Sequence, residues 1–471
     1  MSRVIVLVFI FSSFIFAKNV RINLDEAISL ALENNGLNKI SKINLEIADA
    51  QYQQALSANF PSLDAVLYAN RNNRDLISKQ RGTYDLSNEE TAGLIKTLTG
   101  NEVPSSAVTP LTLPADIDSK AAGRDTVKGS LEMNYALYTG GKIDAIIQQA
   151  KLNKELAKIA IIRSESDVIF DVKKYYYGYI LTNELHKIVD KIYKNMKFST
   201  DLAKEFLESS SSLKINRTDY LNAKLTTSLI QSTLSKLELN RELLKNAMGN
   251  LIGLEWNDKV EISYEEKEIL NQNVPLQKII KKAYESNPDI SQINLAVKIK
   301  DEQINEAQSA YYPQVGVFGS VNRTYNSYEY GYLNEENKDT WNIGIAIKMS
   351  LFDGFRTSNN VLEKKLNKKV INEQKILLEN AIALQLKNEF LSSTLAYKQI
   401  NILNEAVEIA SENSELNLKG FEYEMVEAKD LIQSQLTEAY VKADYFKNVH
   451  DYLLSLAAID KLVGQKINEN F

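Results

Sequence analysis

The chain carries an internal duplication, and this feature limits its possible folds more than any other. Residues 24–71 align with residues 276–323 at a constant offset of 252, without a gap. Further blocks align at offsets of 214 and 211, in the same order in both halves. Matched pairs include Leu24 with Leu276, Asn35 with Asn287, Pro61 with Pro313, Gly140 with Gly354, Asp219 with Asp430 and Gly253 with Gly464. The unit is thus a duplicated element of roughly 200 residues and not a short solenoid repeat.

The first residues have the pattern of an export signal. Arg3 is followed by an apolar run from Val4 to Phe16 and by the small residue Ala17. This order is typical of a secretory signal peptide with its cleavage point. A short membrane anchor is the alternative, but the run is shorter than the ~20 residues that a spanning helix needs. We therefore expect residues 1–17 to be a signal peptide.

Composition excludes several classes of function. The chain has no cysteine, which excludes disulfides, thiolate metal sites and a cysteine nucleophile. Its net charge of −6 argues against nucleic-acid binding. The two histidines, His186 and His450, lie in helical runs, and no phosphate loop, metal cluster or nucleophile motif appears. The sequence therefore predicts no enzyme, no cofactor and no metal.

The distribution of proline and glycine predicts long helices. All seven prolines lie outside 115–274 and 314–471, and 355–419 contains no glycine. Inside a helix proline costs ~3 kcal/mol and glycine ~1 kcal/mol, so these stretches favour uninterrupted helix. Apolar residues recur at steps of three and four, which is coiled-coil spacing. One helix is expected at about 143–205.

Four shorter segments, at about 62–72, 126–138, 314–323 and 340–351, change to strand periodicity. From Val127 to Leu137 the odd positions are apolar or glycine, and the even positions are polar except for Ala136. Residues 341–351 repeat this alternation. Such a run matches a membrane-spanning strand of ~9–11 residues, and a half-buried soluble sheet is the alternative.

Two connections of unequal length join these strands. Residues 74–125 contain three prolines and many Ser and Thr residues, which is typical of a long exposed loop. Residues 324–339, rich in Asn, Tyr and Glu, form the shorter connection. Both connections are expected to leave the same end of the sheet.

Four strands per chain leave two unpaired edges, and this decides the expected assembly. Each unsatisfied backbone group costs several kcal/mol in lipid, so an open edge is excluded there. Other copies of the chain must close the barrel, and three chains supply twelve strands. The predicted class is a membrane α+β fold, internally duplicated. It would form a trimeric 12-stranded transmembrane β-barrel, four strands per chain, continued by a long α-helical barrel.

Several motifs point to one known family. They are Leu24-Asp25-Glu26-Ala27 with Ala31 and Asn35, Ala58-Asn59-Phe60-Pro61, Ser350-Leu351-Phe352-Asp353-Gly354-Phe355-Arg356, and the closing Asp430 and Gly464. Over nearly all of 22–466 the sequence resembles the TolC-like outer-membrane efflux protein family. This resemblance implies a homotrimeric channel in the outer membrane of a Gram-negative-type cell, with a large periplasmic part.

The resemblance also implies partners. The channel would be the passive exit duct of a tripartite efflux pump or a type I secretion system. It would contact outer-membrane lipid, a periplasmic adaptor (membrane fusion) protein, and an inner-membrane efflux pump or ABC exporter that supplies the energy. No nucleic-acid partner is implied. A structural periplasm-spanning coiled coil or an adhesin-like rod is the alternative, although a rod has no use for paired amphipathic strands.

The repeat and the resemblance together divide the chain into five segments. Residues 1–17 are the signal peptide, and residues 467–471 are a C-terminal tail. Residues 18–253 are the first structural repeat and residues 276–466 the second, each with a helix, two strands and long coiled-coil helices. Residues 254–275 are an equatorial connection between the repeats.

The resemblance assigns a gate to the helical hairpin turns in the periplasm. The family aspartate of the constriction matches Asp430, and its counterpart in the first half is Asp219. Glu424 and Glu427 add charge near the second turn. Helix capping is the alternative role for both aspartates. The family's second acidic ring falls on the amide Gln433, so only one clear aspartate ring is expected.

The same resemblance assigns adaptor contacts to the hairpin tips. The turns should fall near 207–217 and 420–428. The residues expected to contact the adaptor are Ser210, Ser211, Leu213, Phe421 and Tyr423. The arginine and tyrosine that hold the family's closed state correspond here to Val426 and Phe421, so the resemblance does not carry that latch over to this chain.

Overall fold

The protein is described by a computed structural model that covers residues 19–209, 216–264 and 274–464. Within this part of the chain the helices are α1 (Leu24–Asn34), α2 (Gly36–Ser57), α3 (Asn88–Thr99), α4 (Lys142–Ser209), α5 (Arg217–Leu251), α6 (Leu276–Ser286), α7 (Pro288–Gln308), α8 (Arg356–Glu422) and α9 (Ala428–Val463). The strands are β1 (Asn19–Ile22), β2 (Ser62–Arg71), β3 (Leu76–Gln80), β4 (Thr83–Leu86), β5 (Leu111–Pro114), β6 (Ile117–Ala122), β7 (Asp125–Tyr138), β8 (Lys259–Ile262), β9 (Gln314–Asn326) and β10 (Asp339–Lys348).

Several predictions lie outside the described residues. These are the signal peptide 1–17, the tip residues Ser210, Ser211 and Leu213, and the tail 467–471. The segment boundaries 18–253, 254–275 and 276–466 stay predictions. The mixed α+β class is confirmed, because long helices and an antiparallel sheet occur in one chain. Among the described helices, none is both long enough and apolar enough to cross a membrane.

The contacts divide the chain into two compact units. The helical unit comprises the described residues of Met1–Tyr52, Gln148–Glu302 and Lys364–Phe471. The sheet unit comprises Gln53–Ile147 and Gln303–Glu363.

Two very long helices dominate the helical unit. Helix α4 has 68 residues and its repeat mate α8 has 67, where the sequence predicted a helix at about 143–205. At 1.5 Å per residue each is about 100 Å long. Helix α4 contacts α9 through polar pairs: Lys173 donates to Asp460 at 2.9 Å, and Lys461 lies 2.7 Å from Asp167. Helices of the first repeat are thereby fastened to helices of the second.

A small parallel strand pair, which the sequence analysis did not predict, completes the core of the helical unit. Strand β1 pairs with β8, and Val20 lies opposite Val260. The hydroxyl of Tyr176 on α4 donates to the carbonyl of Ser263 at 2.7 Å, just after β8. The buried residues of this cluster are Ile22, Ala27, Ala31, Val168, Val172, Tyr176, Met248, Ile252 and Val260.

The sheet unit is built on a four-stranded antiparallel sheet in the order β10-β9-β7-β2. Its strands occur where the alternating segments predicted them. Strands β9 and β7, one from each repeat, pair at the centre, with Val321 opposite Leu131. The outer strands β2 and β10 each pair with the neighbour from their own repeat.

Residues 74–125, predicted as a long exposed loop, contain regular secondary structure. They form the pairs β3·β6 and β4·β5 and helix α3, whose capping box joins Ser87 and Glu90. The buried side chain of Asn326 fastens the segment: it accepts from the Gly123 N–H at 2.7 Å and donates to the Gly123 carbonyl at 3.1 Å. The partner residues are 203 positions apart, so local sequence gives no sign of this contact.

Candidate functional site: an apolar sheet face and a helical hairpin tip

One face of the four-stranded sheet is apolar from edge to edge. The strand register puts these side chains on it: Leu63, Leu67, Val127, Leu131, Met133, Val315, Val317, Val321, Trp341, Ile343, Ile345 and Ile347. The four on β10, from Trp341 to Ile347, are each 68–75% exposed. A contiguous exposed apolar surface of this kind marks contact with lipid or with another protein.

The opposite face of the sheet is polar. Asn322 and Asn342 both donate from Nδ2 to the hydroxyl of Ser320, at 2.9 and 3.0 Å. The hydroxyl of Ser130 donates to Glu132 at 2.9 Å. The alternation of apolar and polar side chains therefore gives the sheet one apolar and one polar face, as in a strand between lipid and a water-filled lumen.

Both outer strands of this sheet are open edges. Within the described residues β2 pairs only with β7, and β10 only with β9. The N–H and C=O groups on their outer sides are a template for a further strand. The apolar face and these edges together make the sheet incomplete as a single chain in lipid.

The hairpin tip between α8 and α9 is a tight turn built on Gly420. The N–H of Met425 donates to the Gly420 carbonyl at 2.8 Å, which closes the turn. A Cβ at Gly420 would lie 2.5 Å from Cγ2 of Val426, so only glycine fits without movement. Glu424 has a φ of 59°, in the left-handed region that residues other than glycine adopt at a cost.

The two aspartates of the predicted constriction have different environments. Asp219 is the third residue of α5, and its carboxylate accepts from the Asn216 N–H at 3.0 Å in a capping box. This matches the capping role that the sequence left open for Asp219. Asp430 holds the same position in α9, but the N-cap residue Glu427 has no side-chain capping bond.

Asp430 and Glu427 are both exposed at the tip. Within the described residues the Asp430 carboxylate makes no hydrogen bond or ion pair. The backbone N–H of Asp430 donates to the Glu427 carbonyl at 3.0 Å. Glu424 is half-buried in the same turn. The second turn thus presents acidic groups, and helix capping does not account for Asp430.

The structure corrects the assignment of Phe421 as an adaptor contact. Its side chain is only 2% exposed and packs with Ala203, Ala428 and Leu431. A ring buried between helices anchors the turn and cannot offer a surface to a partner. Tyr423, two residues later, is 74% exposed, so it remains a candidate contact.

A buried polar cluster above the tip was missed by the sequence analysis. Glu438 on α9 is 1% exposed, and it accepts from Lys191 of α4 at 3.1 Å and from Lys442 at 2.7 Å. Burial raises the pKa of the Glu438 carboxyl, but hydrogen bonds from Lys442, Ser414 and Lys191 outweigh it and leave the pKa below its ordinary value.

This cluster had a readable signal. Leu431, Ser434, Gln435 and Glu438 are all buried and follow one another at helical spacing along one face of α9. Glu438 lies on the same helix face as the apolar Leu431. A carboxylate on a buried face needs buried partners on a neighbouring helix.

Residues 279–465 match the family described as outer membrane efflux protein, and this stretch includes β9, β10, α8, α9 and the hairpin tip. The matched stretch is less than half of the chain, and it is this second half that is similar to the family. The resemblance read from the sequence is thereby confirmed, and the outer-membrane location that it implied is supported.

Among curated relatives, the outer membrane efflux protein BepC of Brucella suis biovar 1 (strain 1330) is 29% identical over 136 residues. That match spans 27% of this chain and 28% of the length of the relative.

Solved structures of outer membrane channels share the fold over most of the chain. The Campylobacter jejuni CmeC outer membrane channel is 17% identical, with a TM-score of 0.67, over 94% of this chain and 85% of that one. The Vibrio cholerae outer membrane protein VceC is 16% identical, with a TM-score of 0.69, over 94% of this chain and 96% of that one. The chain therefore shares the fold of these outer membrane proteins.

Proposed function

We propose that three copies of this chain form the exit duct of an export machine in the outer membrane. The observation that carries the proposal is a pair of open sheet edges, β2 and β10, which flank an exposed apolar face. Each chain contributes four strands, and three chains close a barrel of twelve. The apolar face would contact lipid, and the polar face would line a water-filled lumen.

The internal duplication supports closure by copies of the same chain. Strand β10 is the repeat mate of β7, and β2 is the repeat mate of β9. Within the chain β7 pairs with β9. The equivalent pair is β10 with β2, the two edges, so β10 of one copy would pair with β2 of the next.

The duplication also supplies a register for that pair. Leu131 on β7 lies opposite Val321 on β9. The repeat offsets convert these positions to Ile345 on β10 and Ala69 on β2. Both side chains then lie on the apolar face, as the alternation requires.

The helices favour the same closure. Helix α4 contacts α9, and the equivalent contact would join α8 to α5. Both of these helices keep apolar stripes that are at least half exposed. The stripe on α8 is Leu377, Leu384, Leu391, Leu395, Ile402, Ile409 and Leu416, and that on α5 is Leu221, Leu225, Leu229, Leu239 and Leu243. On α8 the steps are of four and seven residues, and on α5 they are of four residues with one of ten; steps of four and seven are typical of a helix seam that packs against another helix.

The proposed duct is passive and not an enzyme. A periplasmic adaptor protein would bind near the hairpin tips, and an inner-membrane efflux pump or ABC exporter would supply the energy. The entrance would be the α8–α9 tip, where three copies of Asp430 form an acidic ring around one axis. The alternative of a structural rod leaves the exposed apolar sheet face unexplained.

A double-cysteine variant tests the proposal, since the chain has no cysteine of its own. Ala69→Cys with Ile345→Cys should give disulfide-linked dimers and trimers after mild oxidation, resolved by non-reducing electrophoresis. Leu63→Cys with Ile345→Cys is the matched control, because Leu63 lies six residues, or ~20 Å, from the proposed partner position. Monomers alone, with both cysteines reactive towards maleimide in lipid, would overturn the trimer.

A further inference from the structure

A shallow groove of about 550 Å³ crosses the apolar face of the sheet in the sheet unit. Its apolar walls include Leu67, Leu131 and Val321, and it ends at Arg323 and Asp339. The groove therefore joins an apolar channel to the ion pair of Arg323 with Asp339. It lies entirely on strands β2, β7, β9 and β10 of one chain.

The groove exists because Gly129 lacks a side chain. Gly129 lies on β7 between Leu67 on β2 and Arg323 on β9. A Cβ added to Gly129 would meet no atom within 4 Å, so neighbouring side chains do not fill the space. In the second repeat the same position is Ile343, a large apolar residue. The groove is thus specific to the first repeat.

Arg323 and its repeat mate Arg71 have equivalent carboxylate partners, but Arg323 contacts its partner less closely. Arg71 forms a two-pronged ion pair with Asp125, with Nε to Oδ1 at 2.6 Å and Nη2 to Oδ2 at 3.0 Å. The equivalent pair, Arg323 with Asp339, is a single contact of 3.6 Å. No described residue accepts a hydrogen bond from the Arg323 guanidinium, and its side chain is 71% exposed. The planar fork of donors is available for a phosphate.

We infer that this groove binds an anionic, phosphate-bearing lipid of the membrane. An acyl chain lies over Gly129 between Leu67, Leu131 and Val321, and the phosphate accepts hydrogen bonds from Arg323. This inference rests on the proposed function, in which the apolar face contacts lipid. A free phosphate ion would use only Arg323 and would leave the apolar groove empty, so the combined chemistry favours a lipid.

Trp341 provides a probe beside the groove. It lies on the same face, directly opposite the groove residue Val321, and is 75% exposed. The other tryptophan of the chain, Trp256, is removed by Trp256→Phe. In mixed micelles, quenching of Trp341 fluorescence is compared for brominated phosphatidic acid and brominated phosphatidylcholine with identical chains.

The native groove should favour the brominated anionic lipid about fivefold, which is the effect of one arginine near a charged headgroup. Arg323→Ala should abolish this preference, and Arg323→Lys should retain part of it. Gly129→Ile, which copies the second repeat, should weaken binding by filling the groove. Arg71→Ala is the matched control and should keep the preference.

The outcomes separate the two proposals. Equal quenching by both lipids in the native protein would overturn the lipid site while leaving the duct intact. No quenching by either lipid would show that the apolar face does not contact lipid, and would overturn the proposed function as well. Loss of the preference on adding inorganic phosphate alone would replace the lipid by a free anion. Each variant is first checked for assembly by its mass in detergent.

Discussion

Asn287 donates from its side-chain nitrogen to the carbonyl of Leu462 at 2.8 Å, and its repeat mate makes the same bond. Asn35 donates to the carbonyl of Leu251, at 3.3 Å. Both asparagines are buried at the end of a short helix. The duplication thus extends to single hydrogen bonds, each of which fastens the first helix of a repeat to the last helix of the same repeat.

Replacing Asn287 by alanine should destabilise the helical unit. The change leaves the Leu462 carbonyl and the Ile290 N–H without their side-chain partner, at a cost of about 1–3 kcal/mol. We expect a lower midpoint of heat denaturation, followed by circular dichroism in detergent. Asn153→Ala, on the exposed surface of α4, is the control and should leave the midpoint within error. Equal effects of the two changes would argue against the bond.

The elements that could be predicted are those whose signal is local. Long helices follow from the absence of proline and glycine, and membrane-type strands follow from alternation, so α4 and β7 were foreseen to within a few residues. Helix α3 had a local signal too, the capping box of Ser87 and Glu90, but the prolines nearby suggested a loop. Asn326 fastens the end of that segment at Gly123, and no local pattern reports a partner that distant.

The candidate site, too, could be predicted only where its signal is local. The acidic groups at the tip could be predicted from their residue type and their place in the turn. The burial of Phe421 could not, because it depends on contact with Ala203 of another helix. The capping role of Asp219 could have been read from Asn216, a favoured N-cap residue, whereas Glu427 before Asp430 is not one. The burial of Glu438 depends on Lys191, 247 residues away.

The two faces of β10 should respond differently to charge. Ile345→Arg would put a cation in the apolar face near mid-depth, which costs about 2–4 kcal/mol in a membrane strand. Asn342→Arg is on the polar face, where water solvates the charge. We expect the first variant to lose stable trimer in lipid vesicles and the second to keep it, measured as the fraction that resists denaturant. Equal tolerance would show that the apolar face is not in lipid.

Glu438 should make stability depend on acidic pH. The pKa of its carboxyl is lower in the folded protein than in the unfolded chain, because Lys442, Ser414 and Lys191 bind the ionised form despite burial. Its contribution is therefore present above the unfolded pKa and is lost as pH falls through the folded one. Glu438→Gln should lower stability at neutral pH by about 1–3 kcal/mol.

The measurement is the denaturation midpoint across the acidic range. Glu438→Gln should show a flatter decline with falling pH than the native chain, since the titrating group is gone. Glu412→Gln, an exposed position on α8, should reproduce the native curve. A Glu438→Gln curve parallel to the native one would mean that other groups cause the acid sensitivity.

Asp430 should set the cation response of the entrance. In the proposed trimer three Asp430 carboxylates would lie around one axis, and such a ring favours cations and holds multivalent ones most strongly. Because Gln433 stands where the family has a second acidic ring, block by a hexaammine-type trivalent cation should be weaker than in channels with both rings. Single-trimer conductance in planar bilayers measures this, and Asp430→Ala should reduce both cation selectivity and block.

Asp219→Ala separates gating from capping. Its carboxylate accepts the Asn216 N–H, so its loss should weaken the start of α5, by about 1 kcal/mol, without changing selectivity. Asp430 makes no such capping bond among the described residues, so Asp430→Ala should change selectivity with little loss of stability. The reverse result, in which Asp219→Ala alters conductance and Asp430→Ala only lowers stability, would assign the constriction to the first hairpin.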